Sequence, residues 1–189
     1  IYLTFDDGPG PHTARLLDIL KNYNVKVTFF FSVYNNNYNE LLKREADEGH
    51  TVGLHCYTHN YGLLYSSVDS YMEDLLRVQE KVREYTGIES KIIRFPGGSS
   101  NTISRKYKTM IMTDLTKKVE EIGFRYFDWT IISGDAGDTK DSNQIVQNVI
   151  SRIKENEVNV VLMHDIKSYT VDSIERIIEY GLANGYTFA

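Results

Sequence analysis

The feature that most narrows the fold of this chain is an alternation of short, almost continuously apolar runs with stretches of helical periodicity. Strand-like runs fall at 1–5, 26–31, 51–55, 91–95, 125–131, 158–163 and 186–189. Such runs belong in parallel sheets covered on both sides, because a sheet with one solvated face alternates polar and apolar residues. Between them, apolar residues recur at three- and four-residue spacing. Leu16, Leu17, Leu20 and Tyr23 mark a first helix, and Leu41, Leu42 and Ala46 a second that Gly49 closes. Val68, Tyr71, Met72, Leu75, Gln79 and Val82 mark a long third helix, closed by Gly87. The fourth is read over about 104–122, with Tyr107, Met110, Ile111, Leu115, Val119 and Ile122 on one side. Asp141 followed by Gln144 resembles a capping box before Ile145, Val149, Ile150 and Ile153. Val171, Ile174, Ile177 and Ile178 make a sixth helix that ends around Asn184-Gly185. Seven strands alternating with six helices predict an α/β fold, closed as a barrel or laid out as a doubly wound sheet. Asn35-Asn36-Asn37 reads as a polar loop.

At 189 residues, 41 % hydrophobic and 25 % charged, the chain has enough length for one domain with a substantial core. We expect a single domain over 1–189, monomeric and cut from a longer chain, because the sequence opens and stops inside strand-like runs. No run of about 18 apolar residues occurs, so no membrane span is expected in this segment. A net charge of −5 without a basic stripe argues against nucleic acid, whose phosphates demand clustered Lys and Arg. With Cys56 alone, neither an internal disulfide nor a four-cysteine zinc site can form.

In either array, function gathers at the carboxyl ends of strands. After the first strand stand Asp6 and Asp7, followed by the turn-forming Gly8-Pro9. After the third comes His55-Cys56-Tyr57-Thr58-His59, whose two imidazoles share one face of a helical turn and can reach one ion. The first histidine lacks the neighbouring Glu of the zincin pattern. An Asp with these two His supplies three N/O ligands and leaves a position open for water, and Asp6 is then the candidate base. After the fourth strand stands Arg94-Phe95-Pro96-Gly97-Gly98, and near the sixth Leu162-Met163-His164-Asp165. An Arg beside a carboxylate favours its ionised form, and a His on the far side can donate a proton to a leaving group. Asp128-Trp129 and Ser133-Gly134-Asp135 follow the fifth strand, where Trp129 offers a flat face to a sugar and an Asp can orient His164. Taken singly, each motif is more often a cap, a turn or a packed side chain. Their joint placement after strands one, three, four and six is what points to a site. Tyr61, Tyr65 and Phe95 read as packing, and His12 and His50 as structural.

Together these motifs resemble the polysaccharide deacetylases of carbohydrate esterase family four, over nearly the whole chain. The resemblance implies a distorted (β/α)7 barrel. Thr4-Phe5-Asp6-Asp7-Gly8 matches a first motif in which the leading Asp is the general base and the second binds metal. His55 and His59 match the metal-binding pair, Arg94 and Pro96 a third motif, and Leu162 and His164 a fifth whose His is the general acid. Asp135, or else Asp128, matches the acidic partner of that His. The resemblance further implies a divalent metal on Asp7, His55 and His59, Zn²⁺ first with Co²⁺ or Ni²⁺ as alternatives. Gly97, Pro96, Trp129 and Leu162 then form the oxyanion and substrate side. The implied reaction is hydrolysis of N-acetyl groups on N-acetylglucosamine in a polysaccharide, cell-wall peptidoglycan foremost, with extracellular or wall-associated location. Chitooligosaccharide, acetyl-xylan and a catalytically idle carbohydrate-binding domain are the alternatives. Two departures stand out: Cys56 replaces a usual Ser or Thr and is expected to turn away from the metal, and Gly97 replaces a frequent Tyr, removing an aromatic wall.

Overall fold

Phe29, Phe30 and Phe31 lie consecutively in one strand and all three are buried, the signature of a strand covered on both faces. That strand sits within a sheet of seven, in a computed structural model that describes residues 1–33 and 36–189. Asn35 of the polar loop lies outside the described residues. The strands are β1 (Tyr2–Asp6), β2 (Thr28–Ser32), β3 (Thr51–Cys56), β4 (Ile92–Ile93), β5 (Arg125–Tyr126), β6 (Ile131–Ile132) and β7 (Val160–His164). Every pairing is parallel, in the order β5-β4-β3-β2-β1-β7-β6.

This order forces curvature. β5 and β6 occupy opposite ends of the sheet, yet only residues 127–130 separate them. A link that short reaches at most about 17 Å from Tyr126 to Ile131, so the two edges must come close together. The result is a curled half-barrel, the (β/α)7 arrangement expected. The link is held at both ends by the strands beside it: the Phe127 N–H reaches the Ile93 carbonyl of β4 at 2.9 Å, and the Thr130 N–H reaches the Val160 carbonyl of β7 at 2.9 Å.

Helices α1 (Thr13–Tyr23), α2 (Leu41–Asp47), α3 (Tyr61–Leu64), α4 (Val68–Thr86), α5 (Ile111–Glu121), α6 (Ser142–Ile150) and α7 (Ser168–Ala183) complete the described elements, with two short 3-10 turns. Two apolar clusters hold them to the sheet. One joins Leu16, Leu20, Ile145, Ile174 and Ile178 to Leu3, Phe5 and Met163; the other joins Leu42, Leu75, Val78 and Leu115 to Leu54 and Ile93. Gly49 and Gly87 stand at the helix ends expected, at φ 80° and 74°. Asp141 caps α6 by accepting the Asn143 N–H at 2.9 Å, but Gln144 turns to Asn148 instead of back to the cap, so only half of the capping box forms.

Three expected boundaries move. The run 125–131 is not one strand but β5 and β6, broken by the 127–130 link. Residues 186–189 form no strand, although Ala189 N–H bonds the Ile1 carbonyl; the expected total of seven survives because one loss offsets one split. The fourth helix does not run from 104: residues Ile103–Lys106 form a 3-10 turn, and Met110 at φ 63° breaks the path before α5 begins. Tyr107 and Met110 are accordingly exposed. No described helix is long and apolar enough to cross a membrane.

Candidate active site and metal centre

β1, β3 and β7 end on the same rim of the sheet, and the register sets Asp6 beside His164. Asp6 is tied to Arg94, whose Nη1 lies 2.9 Å from Oδ1. Arg94 is wholly buried and uses four of its five N–H donors: Nη1 also bonds Thr4 Oγ1 at 2.7 Å, Nε the Phe127 carbonyl at 2.9 Å and Nη2 the Asp128 carbonyl at 3.2 Å. One guanidinium thus steadies the carboxylate and holds the start of the 127–130 link. Removing either partner of a buried ion pair leaves an uncompensated charge and costs about 3–5 kcal/mol.

The adjacent Asp7 faces elsewhere because its backbone is left-handed, at φ 73°. Gly8 makes that turn possible, since a Cβ there would land 2.2 Å from Asp165 Oδ1. Asp7 Oδ1 lies 3.6 Å from His55 Nε2 and 3.5 Å from His59 Nε2, and this buried oxygen has no hydrogen-bond partner among the described residues. A buried, unsatisfied carboxylate oxygen between two imidazole nitrogens fits a cation that all three would share. His55 is oriented from behind by the Arg94 carbonyl, 2.8 Å from Nδ1, which directs Nε2 towards Asp7. Burial lowers the His55 pKa, with Asp6 and Asp7 opposing, so the ring is kept in the neutral form a metal needs.

Cys56 is the rival third ligand, since the donor atoms of His55, Cys56 and His59 all lie within 4.8 Å of one another. Its sulfur faces Ser32 Oγ at 3.3 Å, and burial pushes the thiol well above its ordinary pKa. Metal ligation demands the thiolate, which burial disfavours here. Asp7, with an oxygen otherwise unsatisfied, is the better-fitting third donor.

Across the cleft, His164 Nδ1 lies 2.9 Å from Asp135 Oδ1, and Oδ2 accepts the His164 backbone N–H at 2.7 Å and the Thr170 hydroxyl at 2.7 Å. Gly134 at φ 86° brings Asp135 into place; a Cβ there would meet Asn148 Nδ2 at 2.9 Å. Burial works against the His164 cation, but the Asp135 hydrogen bond and charge outweigh it, with help from Asp6 and Asp7, and raise its pKa to about 9. Burial likewise opposes the Asp135 charge, and the same pairing keeps its pKa below the usual carboxylate range. Asp128 makes a different connection: its carboxylate takes the Ser99 N–H at 2.9 Å and the Ser99 hydroxyl.

These groups open on a cleft of about 320 Å³ lined by Asp6, Asp7, His55, His59, Leu162 and His164 together with Gly97 and Trp129. The first 113 residues match the family model described as polysaccharide deacetylase. A peptidoglycan-N-acetylglucosamine deacetylase of Bacillus cereus is 37 % identical over 99 % of this chain. The chain belongs to the polysaccharide deacetylase family. A putative polysaccharide deacetylase of Bacillus subtilis is 36 % identical over the full chain. The chain spans 65 % of the subtilis relative and 67 % of the cereus one, about two thirds of their lengths. Among solved structures, the catalytic domain of a peptidoglycan N-acetylglucosamine deacetylase from Eubacterium rectale superimposes with a TM-score of 0.97 at 47 % identity, covering 99 % of this chain and 86 % of that one.

Within this polysaccharide deacetylase fold, most residues singled out in the sequence meet at one rim, but some stand behind it. Pro96 is buried outside the cleft lining, and its carbonyl accepts the Tyr65 hydroxyl at 2.7 Å. Gly97, at φ 80°, has an N–H with no acceptor among the described residues. Tyr61 lines the cleft, contrary to its reading as packing, and its hydroxyl would stand 3.1 Å from a Cβ on Gly97. An aromatic ring therefore borders the space left by the missing Tyr. Ala136 and Lys167 also line the cleft without having been singled out. Asn60, whose side chain caps α3 by accepting the Gly62 and Leu63 N–H groups, was the signal for the turn that delivers Tyr61. His12 makes no side-chain cap at the start of α1, and His50 is buried against Phe29, both away from the cleft.

Proposed function

We propose that residues 1–189 are a single catalytic domain, monomeric, that removes N-acetyl groups from N-acetylglucosamine of peptidoglycan with the help of a divalent metal, outside the cell or in the wall. The substrate rests on the printed activities of the Bacillus cereus and Eubacterium rectale proteins. The chemistry rests on one arrangement: an unsatisfied Asp7 oxygen between two histidines, flanked by two proton-transfer groups anchored separately through Arg94 and Asp135.

Asp7, His55 and His59 are the residues that would hold the ion, Zn²⁺ by the mix of N and O donors, with Co²⁺ or Ni²⁺ as substitutes. When bound there, a divalent cation supplies positive charge that polarises an acetyl carbonyl and lowers the pKa of water. Asp6, fixed by the guanidinium, receives the proton of the attacking water. The Gly97 N–H, without a protein acceptor, is available to the oxygen on which negative charge develops. His164, held protonated by Asp135, gives its proton to the departing amine and leaves the sugar chain whole. Leu162 and Trp129 form the apolar wall against which an acetylated sugar rests.

Acetate release from peptidoglycan, chitooligosaccharide and acetyl-xylan, measured after chelation and again after adding Zn²⁺, tests the reading. Release from peptidoglycan that disappears with chelator and returns with zinc is expected; polymer binding without acetate from any of the three would overturn it in favour of an idle binding domain. Asp6→Asn is expected to retain zinc and lose about 10²–10⁴ in kcat. Near-normal turnover in that variant would remove Asp6 from its role.

A further inference from the structure

The two histidines are held very differently. His55 lies on β3 and has its Nδ1 tied to the Arg94 carbonyl. His59 lies beyond the strand end, a third of its side chain is exposed, and no hydrogen bond reaches its Nδ1 among the described residues. Besides Asp7, its ring meets the rings of His55 and Tyr61, at 5.6 and 5.5 Å. The place of His59 is therefore set by the backbone of residues 56–58. Cys56 contributes little there, because its thiol is spent on Ser32.

That backbone is clamped by helix α4. Asp74 is buried, and its two oxygens are divided between two consecutive amides: Oδ1 takes the Tyr57 N–H at 2.6 Å and Oδ2 the Thr58 N–H at 2.9 Å. One turn further along, Arg77 lays its guanidinium 3.8 Å from the centre of the Tyr57 ring. Both contacts fall on the segment between His55 and His59, from a helix whose start is fixed by the Ser67 cap. A carboxylate accepting two backbone N–H groups is a strong, directional restraint on a loop that otherwise offers orphan donors.

We propose that Asp74 is a positioning residue for the metal centre, which holds the 57–58 backbone so that His59 meets the cation shared with His55 and Asp7. The inference rests on the metal-dependent reading above. It goes beyond that reading by placing a determinant of metal affinity on a helix outside the cleft.

Zinc affinity of the full chain, measured by competition with a chromogenic chelator, tests it. Asp74→Asn keeps the shape but sets an NH2 against one of the two amides. It is expected to weaken zinc binding by about 10–100-fold, the usual effect of losing an outer partner of a metal ligand, while activity at saturating zinc recovers most of the wild-type kcat. Gln79→Ala is the control. It removes another buried polar contact of α4, to the Ser90 carbonyl, without touching the loop, and should leave zinc affinity unchanged. Arg77→Ala, at an exposed residue that the fold tolerates losing, should weaken zinc by roughly two- to fivefold, in line with a single exposed cation–π contact. Unchanged affinity in folded Asp74→Asn overturns the proposal; if that variant does not fold, unchanged affinity in Arg77→Ala does so. An equal loss in Gln79→Ala also overturns it, by showing that any weakening of α4 suffices. A wild-type chain that binds no zinc would instead bring down the metal reading itself, a result that none of the variant comparisons can mimic.

Discussion

His50 is buried and His164 partly so at the edge of the cleft, and the fold drives the two imidazoles in opposite directions. His50 packs edge-on against Phe29 with ring centres 5.5 Å apart, accepts the Val27 N–H at Nδ1, and leaves Nε2 without a partner among the described residues. Burial, with Lys26 nearby, lowers its pKa to about 4, and the pull of Glu48 is too weak to reverse this. His164 is desolvated as well, yet its pKa rises to about 9 because Asp135 is in direct hydrogen-bond contact. Burial alone thus makes a histidine neutral and inert; burial with a fixed carboxylate makes it a stored proton. A cation on Asp7 would cancel the share that Asp7 contributes to this rise, which leaves Asp135 as the partner that matters.

The sharpest break of this comparison is chemical. His164→Asn should lower kcat by about 10²–10⁴, the range for losing a general acid, while His50→Gln should leave kcat within about twofold, since nothing in the proposed proton path touches it. Steady-state acetate release decides this, and equal losses in the two variants would erase the distinction. Next in size is the anchor. His164 must be protonated to serve as the acid, so wild-type kcat/KM should fall only well above the ordinary imidazole value of 6.5, with the cation on Asp7 holding the limb below the value of about 9 reached without it. Asp135→Asn removes the charge that raises this pKa, so the alkaline limb should move down towards the ordinary imidazole value of 6.5. A variant limb that stays at the wild-type position would show that another group sets it.

The same contrast explains what could be read in the sequence. Asp6, Asp7, His55, His59 and His164 were legible because each stands at a strand end, where chain order and fold order coincide. Whether Asp135 or Asp128 supports His164 was not, because the apolar run 125–131 hides the break that leaves Asp128 before β6 and Asp135 after it. The folded chain sends Asp128 to Ser99 and brings Asp135 under the imidazole. Arg94 was read as a partner for a carboxylate, but its second task, bonding the Phe127 and Asp128 carbonyls of the link that leaves β5, shows only once the fold sets that link beside the end of β4. Asp74 left a faint signal as an acid between the inward-facing Tyr71 and Leu75 of α4. A polar residue on the buried side of a helix needs a partner from outside the helix, here the 57–58 backbone.

The smallest expected effect is on stability, and the two histidines should tilt it in opposite senses. For His50 the folded pKa of about 4 lies below the unfolded 6.5. The unfolded chain then binds the extra proton, and the contribution of His50 is complete above pH 6.5 and lost as pH falls towards 4. For His164 the folded pKa of about 9 lies above 6.5, so its contribution is complete below 6.5 and lost as pH rises through about 9. Urea midpoints across this range, taken with and without His50→Gln, separate the two. The variant should flatten the acid slope between pH 6.5 and 4 and leave the alkaline slope as it was. A wild-type acid slope that persists unchanged in His50→Gln would assign it to a group other than His50, and not to buried carboxyls of raised pKa such as Asp165, which burial pushes up to about 7. Those have the reverse sign: a raised carboxyl pKa favours the folded state as pH falls, so they oppose the loss expected from His50, and the measured slope is the difference between them.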